Sequence, residues 1–187
     1  MAQAELSGAF RAPKADKRLR ELRVLIVHDS RHMRQILRTL LLGYSVKDIF
    51  EAPDCPKAIG LVGTVRPDLV ITDYDIKPAT GVAFVKMLRR ACPQPFCSVP
   101  VILITAHTDM RRIESARDAG ITEALCKPVT AKNLYDRIVE ILERPRPFVR
   151  AAEFIGPDRR RRRSDSPYGG PKRRSEDRGI KTEYVPD

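Results

Sequence analysis

The sequence has no long apolar run, few cysteines and few histidines, and each shortage closes off a class of function. No apolar stretch approaches the roughly 18 residues that a membrane-spanning helix needs, so no membrane insertion is expected. The four cysteines (Cys55, Cys92, Cys97 and Cys126) show no metal-type spacing. With no secretion signal ahead of them, they read as free thiols in a reducing cytoplasm. Of the three histidines, His28 and His32 are four apart, but one falls at a strand end and the other on the next helix, so no metal pair is expected. His107 reads as a loop residue.

At 187 residues the chain holds one ordinary domain with extensions. A hydrophobic content of 42% suffices for a core of about 110–130 residues. The formal charge is +11, which points to an anionic partner. That charge is uneven: residues 144–187 carry 13 Lys or Arg against 7 Asp or Glu, and 11 of the 13 are Arg. Arg is favoured over Lys where a planar fork must grip a phosphate or a base edge. Residues 1–21 read as a flexible basic arm.

From Val24 to Leu142 strand and helix signals alternate. VLIV (24–27) is the short apolar run of a buried parallel strand. Ser30 is placed to cap the next helix, whose apolar Met33, Ile36, Leu37, Leu40 and Leu41 recur at helical spacing up to Gly43. A weaker strand follows at 46–51, then a helix at 54–65 that Gly60 and Gly63 weaken. DLVIT (68–72), a helix from Gly81 to Arg90 capped by Thr80, VILIT (101–105), a helix at about 109–119, EALC (123–126) and a helix at 130–143 complete the series. Five strands alternating with five helices predict an α/β fold with a five-stranded, parallel, doubly wound sheet. In such a sheet the functional groups gather at the carboxyl ends of the strands. Those ends hold His28 and Asp29, Asp73, Thr105, and Lys127-Pro128.

Two carboxylates call for a hard cation such as Mg²⁺ to relieve their repulsion. With a Lys and a Thr added to hold phosphoryl oxygens, the set becomes a phospho-acceptor site, and no catalytic residue is assigned. On VLIVHDS (24–30), PDLVITDYDIKPATG (67–81), VILITAH (101–107) and CKPVT (126–130), residues 22–143 resemble the CheY-like receiver domain of response regulators. That resemblance implies a flavodoxin-like fold and a histidine kinase as partner. It implies Asp73 as phospho-acceptor, and Asp29, Asp73 and the carbonyl of Asp75 as Mg²⁺ ligands. Thr105 and Lys127 follow as switch residues. Three departures stand out. His28 replaces the first acid of the usual pair, which weakens the Mg²⁺ site. Lys77 precedes Pro78 where the family more often has Met. Ala124 replaces the aromatic that usually couples phosphate to the face made by 109–119, 123–126 and 130–143.

Residues 144–187 read as a Pro/Gly/Arg-rich tail, disordered in isolation. Phe154-Ile155-Gly156-Pro157-Asp158-Arg159-Arg160 is echoed by Tyr168-Gly169-Gly170-Pro171-Lys172-Arg173-Arg174, and Arg163-Ser164-Asp165 by Arg174-Ser175-Glu176. Arg forks onto the O6 and N7 acceptors of guanine, and a carboxylate accepts from its N1–H and N2–H. Arg with Asp is therefore a guanine reader, whereas Arg alone reads phosphate. Aromatics such as Tyr168 add stacking. A duplicated reader fits cyclic di-GMP, with Arg159, Arg160, Arg163, Asp165, Tyr168, Arg173, Arg174, Asp177 and Arg178 as ligand-binding residues. The tail resembles that of the Cle group of CheY-like effectors, which implies a non-enzymatic adaptor acting on the flagellar motor switch, in the cytoplasm at the flagellated pole. Three readings compete: a solvated basic tail giving only solubility or loose anion attraction, a phosphorelay regulator with an incidental tail, and nucleic-acid binding through counterion release, against which the interspersed acids argue.

Overall fold

The computed structural model describes residues 17–91, 95–106, 109–150 and 154–158. They form α1 (Lys17–Glu21), β1 (Arg23–Val27), α2 (Arg31–Gly43), β2 (Asp48–Ala52), α3 (Cys55–Val65), β3 (Leu69–Asp73) and α4 (Gly81–Ala91). A 3₁₀ turn at Phe96–Ser98 leads into β4 (Val101–Thr105), α5 (Met110–Asp118), β5 (Glu123–Cys126) and α6 (Ala131–Glu143). Two short strands follow, β6 (Phe148–Arg150) and β7 (Ile155–Pro157). The main sheet is five-stranded and parallel, in the order β2-β1-β3-β4-β5. This is the flavodoxin-like arrangement expected from the alternating signals, with its switch point between β1 and β3.

The central strands are largely apolar because both faces are covered. Every residue of β3 and of β4 is buried. One face packs Leu25, Val27, Val70 and Leu103 against α3, α4 and α5, with Phe84 and Leu88 fully enclosed. The other packs Val24, Ile26, Ile71 and Ile104 against α2 and α6 through Leu37, Leu41, Leu134 and Ile138. Caps fix the helix starts. Met33 N–H donates to Ser30 Oγ at 3.3 Å, Lys57 N–H to Asp54 at 2.8 Å, Ala83 N–H to Thr80 Oγ1 at 3.1 Å, and Asn133 N–H to Thr130 Oγ1 at 3.2 Å. Gly60 and Gly63 do not prevent α3, because Asp54, Pro56 and a left-handed Arg66 punctuate it at both ends.

Two expectations at the domain's borders require correction. Positions 17–21, placed in a flexible arm, are helical, and Leu19 is 1% exposed in the core beside Ile138 and Ile141. A single buried leucine carries no periodicity, so composition alone could not separate it from the arm. The tail does not begin as free chain at 144 either. β6 and β7 pair antiparallel, Phe148 with Pro157 and Arg150 with Ile155. Asp158 N–H closes the turn onto Pro147 O at 2.8 Å.

This hairpin seals the amino end of the sheet. Arg89 of α4, 2% exposed, donates to the carbonyls of Cys97, Val99 and Gly120, and its guanidinium lies 4.9 Å from the centre of the Phe148 ring. Gly120 adopts φ +94°, and a Cβ there would come within 2.5 Å of the Ile155 carbonyl oxygen, so glycine is required both for the turn and for the close approach of β7. Glu123, 3% exposed at the start of β5, is paired with Arg146 at 2.6 Å and Arg137 at 3.4 Å. The described part of the extension therefore meets the foot of the α5–β5–α6 face at Gly120 and Glu123. It meets only that foot, because α6 runs antiparallel to the strands and delivers the chain to their amino ends.

Candidate functional site

The residues singled out at the strand ends converge. Asp73 ends β3 and is 3% exposed, and its Oδ1 sits 2.8 Å from the Lys127 ammonium, which β5 and the turn after it carry across β4. Lys127 N–H donates to Thr105 O at 2.8 Å, so the lysine's backbone is tied to the last residue of β4. Thr105 itself is 3% exposed. The fixed spacing from Asp73 to Gly81 also acquires a cause. Gly81 N–H donates to Tyr74 O at 2.8 Å, and a Cβ on Gly81 would overlap the Asp73 carbonyl. The loop carrying Asp75 folds back there, with Asp75 and Thr80 forming a bridge.

His28 is 4% exposed and stands between the two carboxylates. Its Nδ1 is 3.0 Å from Asp29 Oδ1, and its Nε2 is 3.6 Å from Asp73 Oδ2. Asp29 Oδ1 also accepts the Ser30 N–H at 2.7 Å. Arg34 brackets the loop from α2, donating to the carbonyls of His28 and Asp29 at 2.7 and 3.0 Å. His32, as expected, lies apart from this group on the exposed side of α2.

Among the described residues, no three His, Cys, Asp or Glu side chains are grouped to hold a metal ion. The donor chemistry nevertheless fits a cation held by few protein groups: Asp29 and Asp73, with the Asp75 carbonyl, would hold Mg²⁺, an ion that keeps several waters and needs only one or two carboxylates. His28 supplies a nitrogen where a further acid would add negative charge.

Ala124 leaves a shallow hollow lined by Tyr74, Leu103, Thr105, Ile113 and Ala116. Arg112 of α5 reaches over it, its guanidinium 5.7 Å from the Tyr74 ring centre. Tyr74 directly follows Asp73 and was not singled out from sequence; an aromatic next to the acceptor and an alanine on the neighbouring edge strand were the available signals. His107 and the nine tail residues from Arg159 to Arg178 assigned to ligand binding lie outside the described residues.

A family model described as the response regulator receiver domain matches residues 24–139. The chain belongs to that family. Such domains serve two-component signalling and use Mg²⁺ for phosphorylation. The chain is 29% identical to the chemotaxis protein CheY of Pseudomonas aeruginosa over 123 residues, covering 66% of this chain and 98% of that protein. It is 33% identical to the KDP operon transcriptional regulatory protein KdpE of Escherichia coli over 121 residues, covering 65% of this chain and 51% of that one. Among solved structures, Vibrio cholerae CheY4 superposes with a TM-score of 0.60 at 25% identity, covering 64% of this chain and 98% of that one. The family model ends at residue 139, so Arg146, β6, β7 and the arginine-rich segment lie beyond it. Among the described residues, no helix is long and apolar enough to cross a membrane.

Proposed function

We propose that this receiver domain is a non-enzymatic signalling adaptor with two inputs, a phosphoryl group at Asp73 and cyclic di-GMP on its arginine-rich extension. The observation that carries the first input is the buried Asp73 carboxylate held 2.8 Å from Lys127 at the carboxyl end of the sheet. A phosphodonor from a histidine kinase delivers its phosphoryl group to Asp73 Oδ2, the oxygen that Lys127 leaves open. Lys127 and Thr105 then hold the new phosphoryl oxygens. Bound Mg²⁺ contributes charge neutralisation, the main requirement of phosphoryl transfer, and His28 in place of an acid keeps its affinity low.

The second input rests on the repeated arginine and acid pattern from Arg159 to Arg178. That pattern resembles the Cle group, most closely CleD, and makes the flagellar motor switch the favoured partner, in the cytoplasm at the flagellated pole. Calorimetric titration of the full chain with cyclic di-GMP, beside random RNA and DNA, tests this input. Binding is expected for cyclic di-GMP alone, and lost in a chain ending at 158. Asp165→Ala raises the net charge, so a purely electrostatic tail would bind at least as well; a guanine reader loses about 1–3 kcal/mol. Preference for RNA or DNA would instead favour the nucleic-acid reading, and no binding at all the phosphorelay reading.

A further inference from the structure

Two ion pairs grip β5 from opposite ends, and the strand between them has little else to hold it in place. At its carboxyl end Lys127 reaches Asp73 Oδ1 at 2.8 Å. At its amino end the buried Glu123 is held by Arg146 at 2.6 Å and Arg137 at 3.4 Å. The strand lies at the edge of the sheet and pairs with β4 alone, from Ile102 with Glu123 to Thr105 with Cys126. Of its four residues, EALC, only Leu125 places a large apolar side chain in the core. Cys126 is exposed, and Ala124 borders the hollow lined by Leu103, Ile113 and Ala116. A large side chain there would interlock the strand with its neighbours; an alanine beside a void does not.

An extended strand cannot absorb a displacement by coiling, because its backbone is already near full length. From Glu123 to Lys127 it spans ~13 Å at the usual rise. A pull on the Lys127 ammonium is therefore passed along β5 to the Glu123 carboxylate, and through it to Arg146. The hairpin closes on the very next residue, where Pro147 O accepts the Asp158 N–H at 2.8 Å. We infer that β5 is a tie that couples the Asp73–Lys127 pair to closure of the β6–β7 hairpin, so that loosening either ion pair weakens the other's grip. Linkage makes the effect mutual. The hairpin lies past residue 139, so the tie joins the receiver fold to an element outside the family model. It depends on the two ion pairs and not on phosphoryl transfer, so its test needs no phosphodonor.

A double-mutant cycle in the full chain tests the tie, with unfolding equilibrium constants read from denaturant titrations of Lys127→Met, Arg146→Ala and the two combined. Changes at sites this far apart ordinarily add to within about twofold. Here the double variant is expected to lose less than the sum of the singles, by more than about threefold in the equilibrium constant, because the first loss has already slackened the tie. Asp73→Asn removes the same pair from its other side, carries the same expectation, and replaces Lys127→Met should that chain not fold. Arg34→Met is the control. Arg34 donates to the carbonyls of His28 and Asp29 at the same end of the sheet but is not on β5, so its loss should simply add to that of Arg146→Ala. Independently, the Asp158 amide is expected to exchange with solvent faster in Lys127→Met or Asp73→Asn than in the unmodified chain, and at an unchanged rate in Arg34→Met. Losses that add or exceed addition, an equal coupling from Arg34, or an Asp158 amide that keeps its rate in the carboxyl-end variants would each overturn the tie.

Discussion

The two ends of the sheet solve different problems. At the carboxyl end, Asp73, Lys127, Thr105 and His28 hold buried polar groups close together for something that is to arrive. At the amino end, Arg89, Glu123, Arg146 and the β6–β7 hairpin hold buried polar groups that are already satisfied: one guanidinium feeding three carbonyls, one carboxylate taken by two arginines. Burying an ion is expensive unless it is paired. The amino end meets that cost with permanent partners, and the carboxyl end leaves part of it standing, as functional sites do. Stability should accordingly be sensitive at the amino end and insensitive at the carboxyl end.

The largest effect is expected from removing the whole amino-end closure. A chain ending at 143 loses Arg146 from the buried Glu123 and exposes the face that Phe148 covers. Together these should cost about 4–6 kcal/mol relative to a chain ending at 158, read from denaturant unfolding. Equal stability would show that the hairpin is decorative and that the domain does end with α6. Arg146→Ala alone leaves Glu123 to Arg137, whose side chain is 42% exposed, and should cost about 2–3 kcal/mol. Gly120→Ala combines a positive φ with a blocked approach of Ile155 and should cost about 1–3 kcal/mol; amide spectra should show the change confined to residues near 89, 120 and 148–158. The smallest effect belongs to the carboxyl end. Asp73→Asn should change stability by under about 1 kcal/mol, of either sign, because the lost ion pair is offset by the relieved burial of a carboxylate, and Lys127, its side chain 31% exposed, can turn to water; it should also abolish attachment of beryllofluoride. A loss of several kcal/mol in this variant would mean that Asp73 is part of the scaffold, and the contrast between the ends would fail.

The same contrast explains what was legible. The carboxyl end is written in local signals: an apolar run followed by Asp, a Ser, Thr or Asp three residues ahead of a helical amide, a glycine eight residues after Asp73. Each is short-range, so the strands and the convergence of Asp73, Thr105 and Lys127 were readable before any coordinates. The amino end is written in long-range pairings. Arg89 looks like any basic residue in the last turn of an amphipathic helix, yet its guanidinium is buried against Gly120, 31 residues on. Arg146 sits in a Pro-rich stretch that reads as linker, and only the nearby start of β5 turns it into the partner of Glu123. His28 falls between these cases. Its position as a departure was visible, but its reach to both carboxylates depends on a ring orientation that no pattern encodes.

The hairpin also decides geography. Asp158 is pinned to Pro147 at the amino pole, so the hairpin holds it at the end of the domain opposite Asp73. The strands between are five residues long, roughly 17 Å at the usual rise. If both proposed inputs operate, a partner that registers both would either straddle the molecule or rely on β4 and β5 as the rod that connects its poles.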